Sequence, residues 1–337
     1  MNRREARYTR FAVVREMLET AEVVRRFDPS VVEPFLPALD RRAVLLTGEG
    51  SSRIFPAKKT IYDSHKHAYR DNVYTEAATQ ALEYDLTDCA VFVASNSGRT
   101  KEGARLMRSL KSGGHRGIYS MVANAGTPIE REAERCYLLR CGSEKAVAAT
   151  KSVVEQALFY DVLFRRHNGS VLPDFRKLGD LMEEAMERDI PREVIERVSG
   201  SSILYWAGRN NGVAEELTLK SNEIARKKSD FLEGTYAVHG IEEVMDSSAA
   251  VIVVDPFPQE EEKLTSVLKD GVGLALYAIS GGVSTLSTVP IPTYGEFTPY
   301  IELAAGWSLL VEAGLHAGFD LDRTERARKV GNEVSEP

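Results

Sequence analysis

Short apolar runs alternate with helical spacing along most of this chain, and that alternation narrows its fold more than any other feature. Runs at Ala43–Thr47, Cys89–Ala94, Gly117–Val122 and Cys136–Leu139 form a first set, and Ser202–Trp206, Ala249–Val254, Leu274–Ile279 and Thr288–Ile291 form a second. Runs of this length read as strands buried on both faces, the condition of a parallel sheet, and parallel neighbours need a crossover helix between them. The expected class is α/β, with parallel sheets flanked by helices in three layers. The two sets resemble one another. Val44-Leu-Leu-Thr-Gly48 and Leu204-Tyr-Trp-Ala-Gly208 each end an apolar run on glycine, 160 residues apart, which points to a duplicated α/β domain.

Flanking segments complete the plan. Residues 1–40 read as helical, with Phe11, Val14, Met17, Leu18, Ala21 and Val24 on one stripe and a break at Asp28-Pro29-Ser30. A long helical pattern runs from about Val147 to Arg166. The expected domains are 1–38 (N-terminal helices), 39–170 (a first α/β domain), 171–322 (a second) and 323–337 (a polar tail).

Composition removes several function classes. At 337 residues, 43% hydrophobic and 28% charged, with net charge −7, the chain is expected to be an ordinary globular protein that needs no staples. Apart from the Arg-rich start, read as a solvated helix, no segment is basic enough for nucleic acid. No apolar run reaches the length of a membrane span. Three cysteines, Cys89, Cys136 and Cys141, suit neither a disulfide framework nor a zinc site; Cys89 and Cys136 read as buried thiols, and a reducing, cytoplasmic setting is expected.

The most specific local signal is the run Cys89–Ala94 followed by Ser95-Asn96-Ser97-Gly98-Arg99-Thr100 and a helical pattern from Lys101. Hydroxyl and amide side chains thus collect where a strand hands over to a helix, a place suited to a phosphate. The second half offers only a weak counterpart, Ser280-Gly281-Gly282. Gly50, Ser51 and Ser52 follow another strand end, where ligand binding and helix capping read equally well. Small residues at Val147, Ala148 and Ala149 fit either a ligand-facing backbone or a packed helix start. Glu216, Lys220 and Glu223 share one helical face, an arrangement that moves protons in some proteins and is merely solvated in many others. His239, between Val238 and Gly240, and Lys329, in the tail, carry no signal alone.

Together these pieces resemble the sugar isomerase (SIS) family, most closely the double-SIS isomerase portion of glucosamine-6-phosphate synthase and its stand-alone deaminase, isomerase and deglycase relatives. Gly50-Ser51-Ser52 resembles the family's first serine loop, and Ser95–Thr100 its S-x-S-G-x-T phosphate loop. Glu144 to Lys151 resembles its E-x-x-V-A-S-T-K segment, and Glu216, Lys220 and Glu223 its E-x-x-x-K-x-x-E helix. His239 and Lys329 fall at the family's later histidine and C-terminal lysine. The resemblance covers roughly residues 40–335 and implies two tandem SIS domains.

It also implies roles. Ser52, Ser95, Ser97 and Thr100 bind the sugar phosphate, with Gly50, Ser51, Asn96, Val147, Ala148 and Ala149 around phosphate and sugar. Glu223 moves a proton between C1 and C2. His239, from a second subunit of a homodimer, opens the ring. Lys220 and Glu216 position hydroxyls and base, and Lys329 meets the open-chain carbonyl. The partners implied are a hexose 6-phosphate and a second copy of the chain. Such chemistry needs no cofactor and no metal, and no metal-ligand spacing stands in the sequence. Ala149 replaces a serine of the synthase and Asn96 a glutamine, while the tail lacks its proline-arginine run. The chain begins Met1-Asn2-Arg3, without the N-terminal cysteine of a glutamine-hydrolysing domain, so a full synthase is not expected. The expected reaction is isomerising deamination of an amino-sugar 6-phosphate. The alternatives are a fructosamine-6-phosphate deglycase, a plain aldose–ketose isomerase and a non-catalytic sugar-phosphate sensor.

Overall fold

The computed structural model describes residues 1–334, and its elements fall into two compact units. The first comprises Glu22–Phe175 with the tail from Arg326. Its sheet contains β1 (Ala43–Gly48), β2 (Val73–Ala77), β3 (Cys89–Ser95), β4 (Ile118–Val122) and β5 (Arg135–Leu138), in the order β2-β1-β3-β4-β5. Every pairing is parallel. Its helices are α2 (Ile54–Lys66), α3 (Lys101–Ser112) and α4 (Lys151–His167); α1 (Ala12–Arg25) precedes the first strand in the chain, and its residues up to Ala21 belong to the second unit.

Strand β3 is buried along its whole length, and its side chains alternate between two cores. Val91 and Val93 join Leu45, Leu106, Met107 and Ile129 on one face. Phe92 points the other way into an aromatic layer, stacked on Tyr119 at 4.8 Å and near Phe35 and Tyr160. Helices α2 and α4 are joined by a buried ionic cluster in which Lys59 lies 2.7 Å from Asp63 and 2.8 Å from Asp161, and Arg165 lies 2.5 Å from Asp161. Each of these charges has an opposite partner, as burial demands.

The second unit, Met1–Ala21 with Arg176–Glu325, repeats the plan. Helices α5 (Phe175–Glu187) and α6 (Arg192–Gly200) lead into β6 (Ile203–Gly208), α7 (Val213–Glu223), β7 (Lys228–Glu233), β8 (Ala250–Val254), β9 (Ala275–Ser280), β10 (Ser287–Pro290) and α8 (Thr298–His316). The parallel order is β7-β6-β8-β9-β10. Both sheets therefore reverse direction between their first and third strands, where loops part and open a crevice at the carboxyl edge. The α/β expectation of parallel sheets covered by helices holds in both units.

Both crevices have the same floor. Gly48 sits opposite Ala94, and Gly208 opposite Val254. A Cβ on Gly48 would lie 2.7 Å from the Ala94 carbonyl oxygen, and one on Gly208 2.8 Å from that of Val254. Only glycine permits this approach, so the sequence echo at 48 and 208 is a packing requirement.

Several expectations need correction. Strands β2 and β7 were not anticipated: Val-Tyr-Thr-Glu-Ala and Lys-Ser-Asp-Phe-Leu-Glu are half polar, which an edge position tolerates. The segment Pro29–Asp40 is a 3-10 helix rather than an α-helix, since Pro34 and Pro37 remove the N–H donors an α-helix would use. Helix α4 starts at Lys151, not near Val147, for a reason given below. Cys136, on edge strand β5, is only half buried. Among the described residues no helix is long and apolar enough to cross a membrane.

Gly48→Ala and Gly208→Ala should each destabilise the protein by about 1–3 kcal/mol in urea denaturation, the usual range for overpacking. Gly200→Ala, where a Cβ meets nothing within 4 Å, should stay within about 0.5 kcal/mol of wild type.

Candidate functional site

In the first unit the hydroxyl loop leaves β3 beside the turn that leaves β1, on the same sheet edge. Its geometry is set by its own side chains. The Ser95 hydroxyl accepts from Gly98 N–H at 3.1 Å, and that of Ser97 accepts from Arg99 N–H at 3.1 Å. The Ser95 and Thr100 hydroxyls share a hydrogen at 2.9 Å, and Ser97 lies 3.4 Å from Ser95. Three hydroxyls and the start of α3 therefore converge. Gly98 makes the turn possible: its φ is +68°, and a Cβ there would sit 2.3 Å from Thr127 Oγ1. The loop is fixed from the neighbouring strand too, since Asn96 C=O accepts from Ala123 N–H and from Asn124 Nδ2.

Gly50, Ser51 and Ser52 form a single 3-10 turn after β1, with Ser51 buried. The Glu49 carboxyl before them is held above its ordinary range, chiefly by burial and also by Glu102, against the N–H of Ala78 and the Arg53 charge.

Glu144 organises the third segment. Buried to 6% exposure, it accepts from Thr150 N–H at 2.7 Å, the Thr150 hydroxyl at 3.2 Å, the Ser152 hydroxyl at 2.5 Å and Asn96 Nδ2 at 3.0 Å. Lys329 Nζ lies 3.8 Å away. Glu144 takes the Thr150 N–H and the Thr150 and Ser152 hydroxyls, Val147, Ala148 and Ala149 stay in an irregular loop, and α4 is delayed to Lys151. Glu155 pins the other end of this segment by accepting from the N–H groups of Arg140 and Cys141. Sequence reasoning quoted Glu144 as part of a motif but gave it no task. Its conjunction with Asn96, 48 positions away, was not visible in any local spacing.

In the second unit, α7 carries the acid–base candidates. It begins where Asn211 Oδ1 accepts from Val213 N–H at 3.2 Å. Trp206 Nε1 of β6 donates to Ser221 at 2.7 Å and fixes the helix against its sheet. Lys220 Nζ then lies 3.1 Å from Glu216 Oε1 and 2.8 Å from Glu223 Oε2. Glu216 and Lys220 are fully buried, and the Glu223 side chain keeps 21% of its surface. Burial pulls the Lys220 pKa down, but the Glu216 and Glu223 carboxylates outweigh it and hold the ammonium above its ordinary value. The site thus offers a permanent cation beside one carboxylate that reaches solvent. His239 follows the turn Tyr236–Val238 and is exposed; among the described residues its ring makes no hydrogen bond or ion pair.

The duplication is uneven at the second crevice. By strand order the counterpart of the hydroxyl loop follows β8 and is Asp255-Pro256-Phe257; Ser280–Gly282 follows β9 and corresponds to the loop after β4. Here Arg209 pairs with Asp255 at 2.6 Å, donates to the Asp255 carbonyl and covers the Phe257 ring at 4.2 Å. An internal ion pair stands where the first unit has self-bonded hydroxyls. Nearby Glu302, 3% exposed on α8, has its pKa pushed up to about 8 by burial and by the Asp255 carboxylate, against the Arg209 charge.

The sequence-derived candidates thus fall into two constellations: Ser95, Asn96, Ser97, Thr100 and Lys329, with Gly50–Ser52 and Val147–Ala149, in the first unit, and Glu216, Lys220 and Glu223 in the second. His239 belongs to the second unit and makes no hydrogen bond or ion pair with the triad among the described residues.

No family model matches the chain. The chain is similar to glutamine–fructose-6-phosphate aminotransferases (isomerizing). It is 24% identical to that of Shewanella oneidensis over 257 residues, which span 70% of this chain and 42% of that protein. With that of Bradyrhizobium diazoefficiens it shares 26% over 265 residues, spanning 70% and 43%. The chain therefore matches about two-fifths of the length of these relatives. Its fold is that of the C-terminal domain of glucosamine-fructose-6-phosphate aminotransferase from Francisella tularensis (TM-score 0.76, 18% identity, 93% of this chain and 98% of that one). It is likewise that of tagatose-6-phosphate ketose/aldose isomerase from Escherichia coli (0.79, 15%, 94% and 96%). Glucosamine-6-phosphate deaminase from Thermotoga maritima also shares it (0.76, 19%, 95% and 99%).

The Glu302 proton gives a checkable sign. Its folded pKa is raised, so its contribution to stability is complete below the ordinary value of 4.5 and is lost as pH rises through about 8. Glu302→Gln should therefore gain stability relative to wild type between those values and then level off. Urea midpoints at pH 5 and pH 8 check this; a gap that does not widen means that the carboxyl is not held neutral.

Proposed function

We propose that this chain is a phosphosugar isomerase of the SIS kind that converts an amino-sugar 6-phosphate to a ketose 6-phosphate with release of ammonia. The observation that carries the reading is the Glu216–Lys220–Glu223 triad, a buried ammonium between two carboxylates of which only Glu223 reaches solvent. The hydroxyl loop supports it, and so do the names of the similar proteins, which include fructose-6-phosphate and glucosamine-6-phosphate enzymes.

The chemistry divides into distinct tasks. Ser95, Ser97 and Thr100, with N–H groups at the start of α3, bind the phosphate, whose binding energy is realised far from the reacting carbons. Ser51, Ser52 and the backbone of Val147–Ala149 contact the sugar chain. His239, supplied by a second copy of the chain, transfers the proton that opens the ring. Glu223 takes the proton from C2 of the open-chain aldehyde and returns it to C1. The 2-amino group thereby becomes an imine at C2, water adds there, and ammonia leaves as the ketone forms. Lys220 stabilises the oxyanion that develops as the C2 proton departs, Glu216 holds Lys220 in place, and Lys329 meets the carbonyl end. A plain aldose–ketose substrate would use the same proton transfer and release no ammonia.

Purified protein is expected to turn glucosamine 6-phosphate into ketose phosphate and ammonia in equal amounts. Glu223→Gln should lower kcat by about 10²–10⁴-fold, the usual worth of a general acid–base group, in a chain that circular dichroism shows still folded, with a lower melting temperature because Lys220 loses one of its two carboxylates. Full activity in that variant, or tight binding of hexose phosphates without turnover of glucosamine, galactosamine or fructosamine 6-phosphates, overturns the reading. Sharing of His239 has its own check. Mixed, each-inactive Glu223→Gln and His239→Ala chains should recover about a quarter of wild-type activity, because half of randomly assorted dimers are mixed and each has one intact site. No recovery on mixing places His239 within its own subunit's chemistry or outside it altogether.

A further inference from the structure

The tail lies along the hydroxyl loop as a short strand. Val334 N–H donates to Arg99 C=O at 2.9 Å, and Lys101 N–H donates to Asn332 C=O at 3.0 Å. Between them Thr100 faces Glu333 in an antiparallel bridge. The side chains lock the pairing: Asn332 Nδ2 donates to Glu102 Oε1 at 2.6 Å, and Val334 packs against the core that holds Leu106 and Met107. Upstream, Lys329 approaches Glu144, which itself holds Asn96 of the same loop. The tail thus reaches the loop at both ends.

Three features make this more than a stray contact. Lys101 N–H belongs to the first turn of α3, whose amides have no partner within the helix, and the tail supplies one. The bonds use the Arg99 carbonyl and the Lys101 amide, which flank Thr100, so alternation along an extended segment turns the Thr100 N–H away from the tail. That N–H and the hydroxyls of Ser95, Ser97 and Thr100 remain on the loop's own side. The loop also turns on Gly98 at positive φ, the residue with most conformational freedom to lose, so an outside tether does most there.

We propose that residues 332–334 are a positioning strand for the phosphate loop: by pairing with Arg99–Lys101 they hold Ser97–Thr100 in the shape that grips the phosphate of a sugar phosphate, and phosphate binding in turn holds the tail. The inference rests on the reading of Ser95–Thr100 as the phosphate site. The coupling is reciprocal by linkage: whatever factor the docked tail adds to phosphate affinity, bound phosphate adds to tail docking.

Two arms test it. In wild type, amide exchange of residues 329–334 should slow when inorganic phosphate or glucosamine 6-phosphate is added; unchanged exchange at saturating ligand overturns the proposal. In the second arm Lys101→Pro and Val334→Pro each remove one of the two N–H donors. Proline is well accepted at the first position of a helix, and Thr100, with ψ of 123°, already has the extended conformation that precedes proline. Each variant should bind inorganic phosphate, which the protein does not consume, about tenfold more weakly by calorimetry, whereas Lys101→Ala, which keeps the N–H, should bind as wild type does. Proline variants with wild-type affinity overturn the proposal. Ser97→Ala and Thr100→Ala separate it from the reading beneath it. If they lose affinity while the proline variants do not, only the strand fails; if they keep full affinity, the phosphate reading fails and the strand with it. The exchange arm uses the unmodified chain, so a proline variant that misfolds does not remove the test.

Discussion

The structure depends on one constraint: a parallel strand buried on both faces can present polar groups only at its ends. Along β3 the backbone is committed to β1 on one side and β4 on the other, and every side chain is enclosed. Hydroxyls, amides and charges are therefore expelled to the carboxyl edge, where adjacent loops turn in opposite directions. The close approach of Gly48 to the Ala94 carbonyl, and of Gly208 to that of Val254, brings the two central strands together at that edge in each unit. Site chemistry collects there because the sheet leaves it nowhere else to go.

One scaffold then serves two purposes. In the first unit the loop after β3 is short, hydroxyl-rich and self-bonded. In the second the equivalent place is closed by the Arg209–Asp255 pair, and the charged residues of interest lie on the following helix instead. The two units share the strand order and the glycine at the crevice floor and differ in their loops, where substitutions do not disturb a buried ladder.

Legibility in the sequence followed the same division. Strands β1, β3, β4, β6, β8 and β9 were readable because a continuous apolar run survives only where both faces are covered. Edge strands β5 and β10 were still readable from short apolar runs, whereas β2 and β7, with Thr75-Glu76 and Lys228-Ser229-Asp230, carry too many polar residues to show one. The spacing of Glu216, Lys220 and Glu223 is local, so a helix brings them together by arithmetic alone. Glu144 was half legible: its motif could be read, but its grip on Asn96 depends on two loops meeting across a sheet edge. The pairing of Asn332 and Val334 with the loop lay beyond reach, since an antiparallel contact between residues more than 230 positions apart has no periodicity to announce it. The start of α4 was misplaced for a local reason: propensity favours a helix through Ala146–Ala149, but the Glu144 carboxylate takes the Thr150 N–H and hydroxyl six residues on.

The state of Lys220 narrows the chemistry further. Taking an ammonium out of water costs several kcal/mol, recovered only through close opposite charges, and apolar side chains of similar volume often serve stability better. Glu216 and Glu223 supply those charges and keep the proton on Lys220. An amine held protonated in this way has no lone pair with which to attack a carbonyl, so Lys220 is unsuited to form an imine with the sugar and suited to stabilise a developing oxyanion. Any covalent task falls to a lysine that is neither enclosed nor doubly paired by its own helix. Lys329, with 26% of its side chain accessible and Glu144 at 3.8 Å, is less enclosed than Lys220, and it lies three residues before the segment that pairs with the hydroxyl loop.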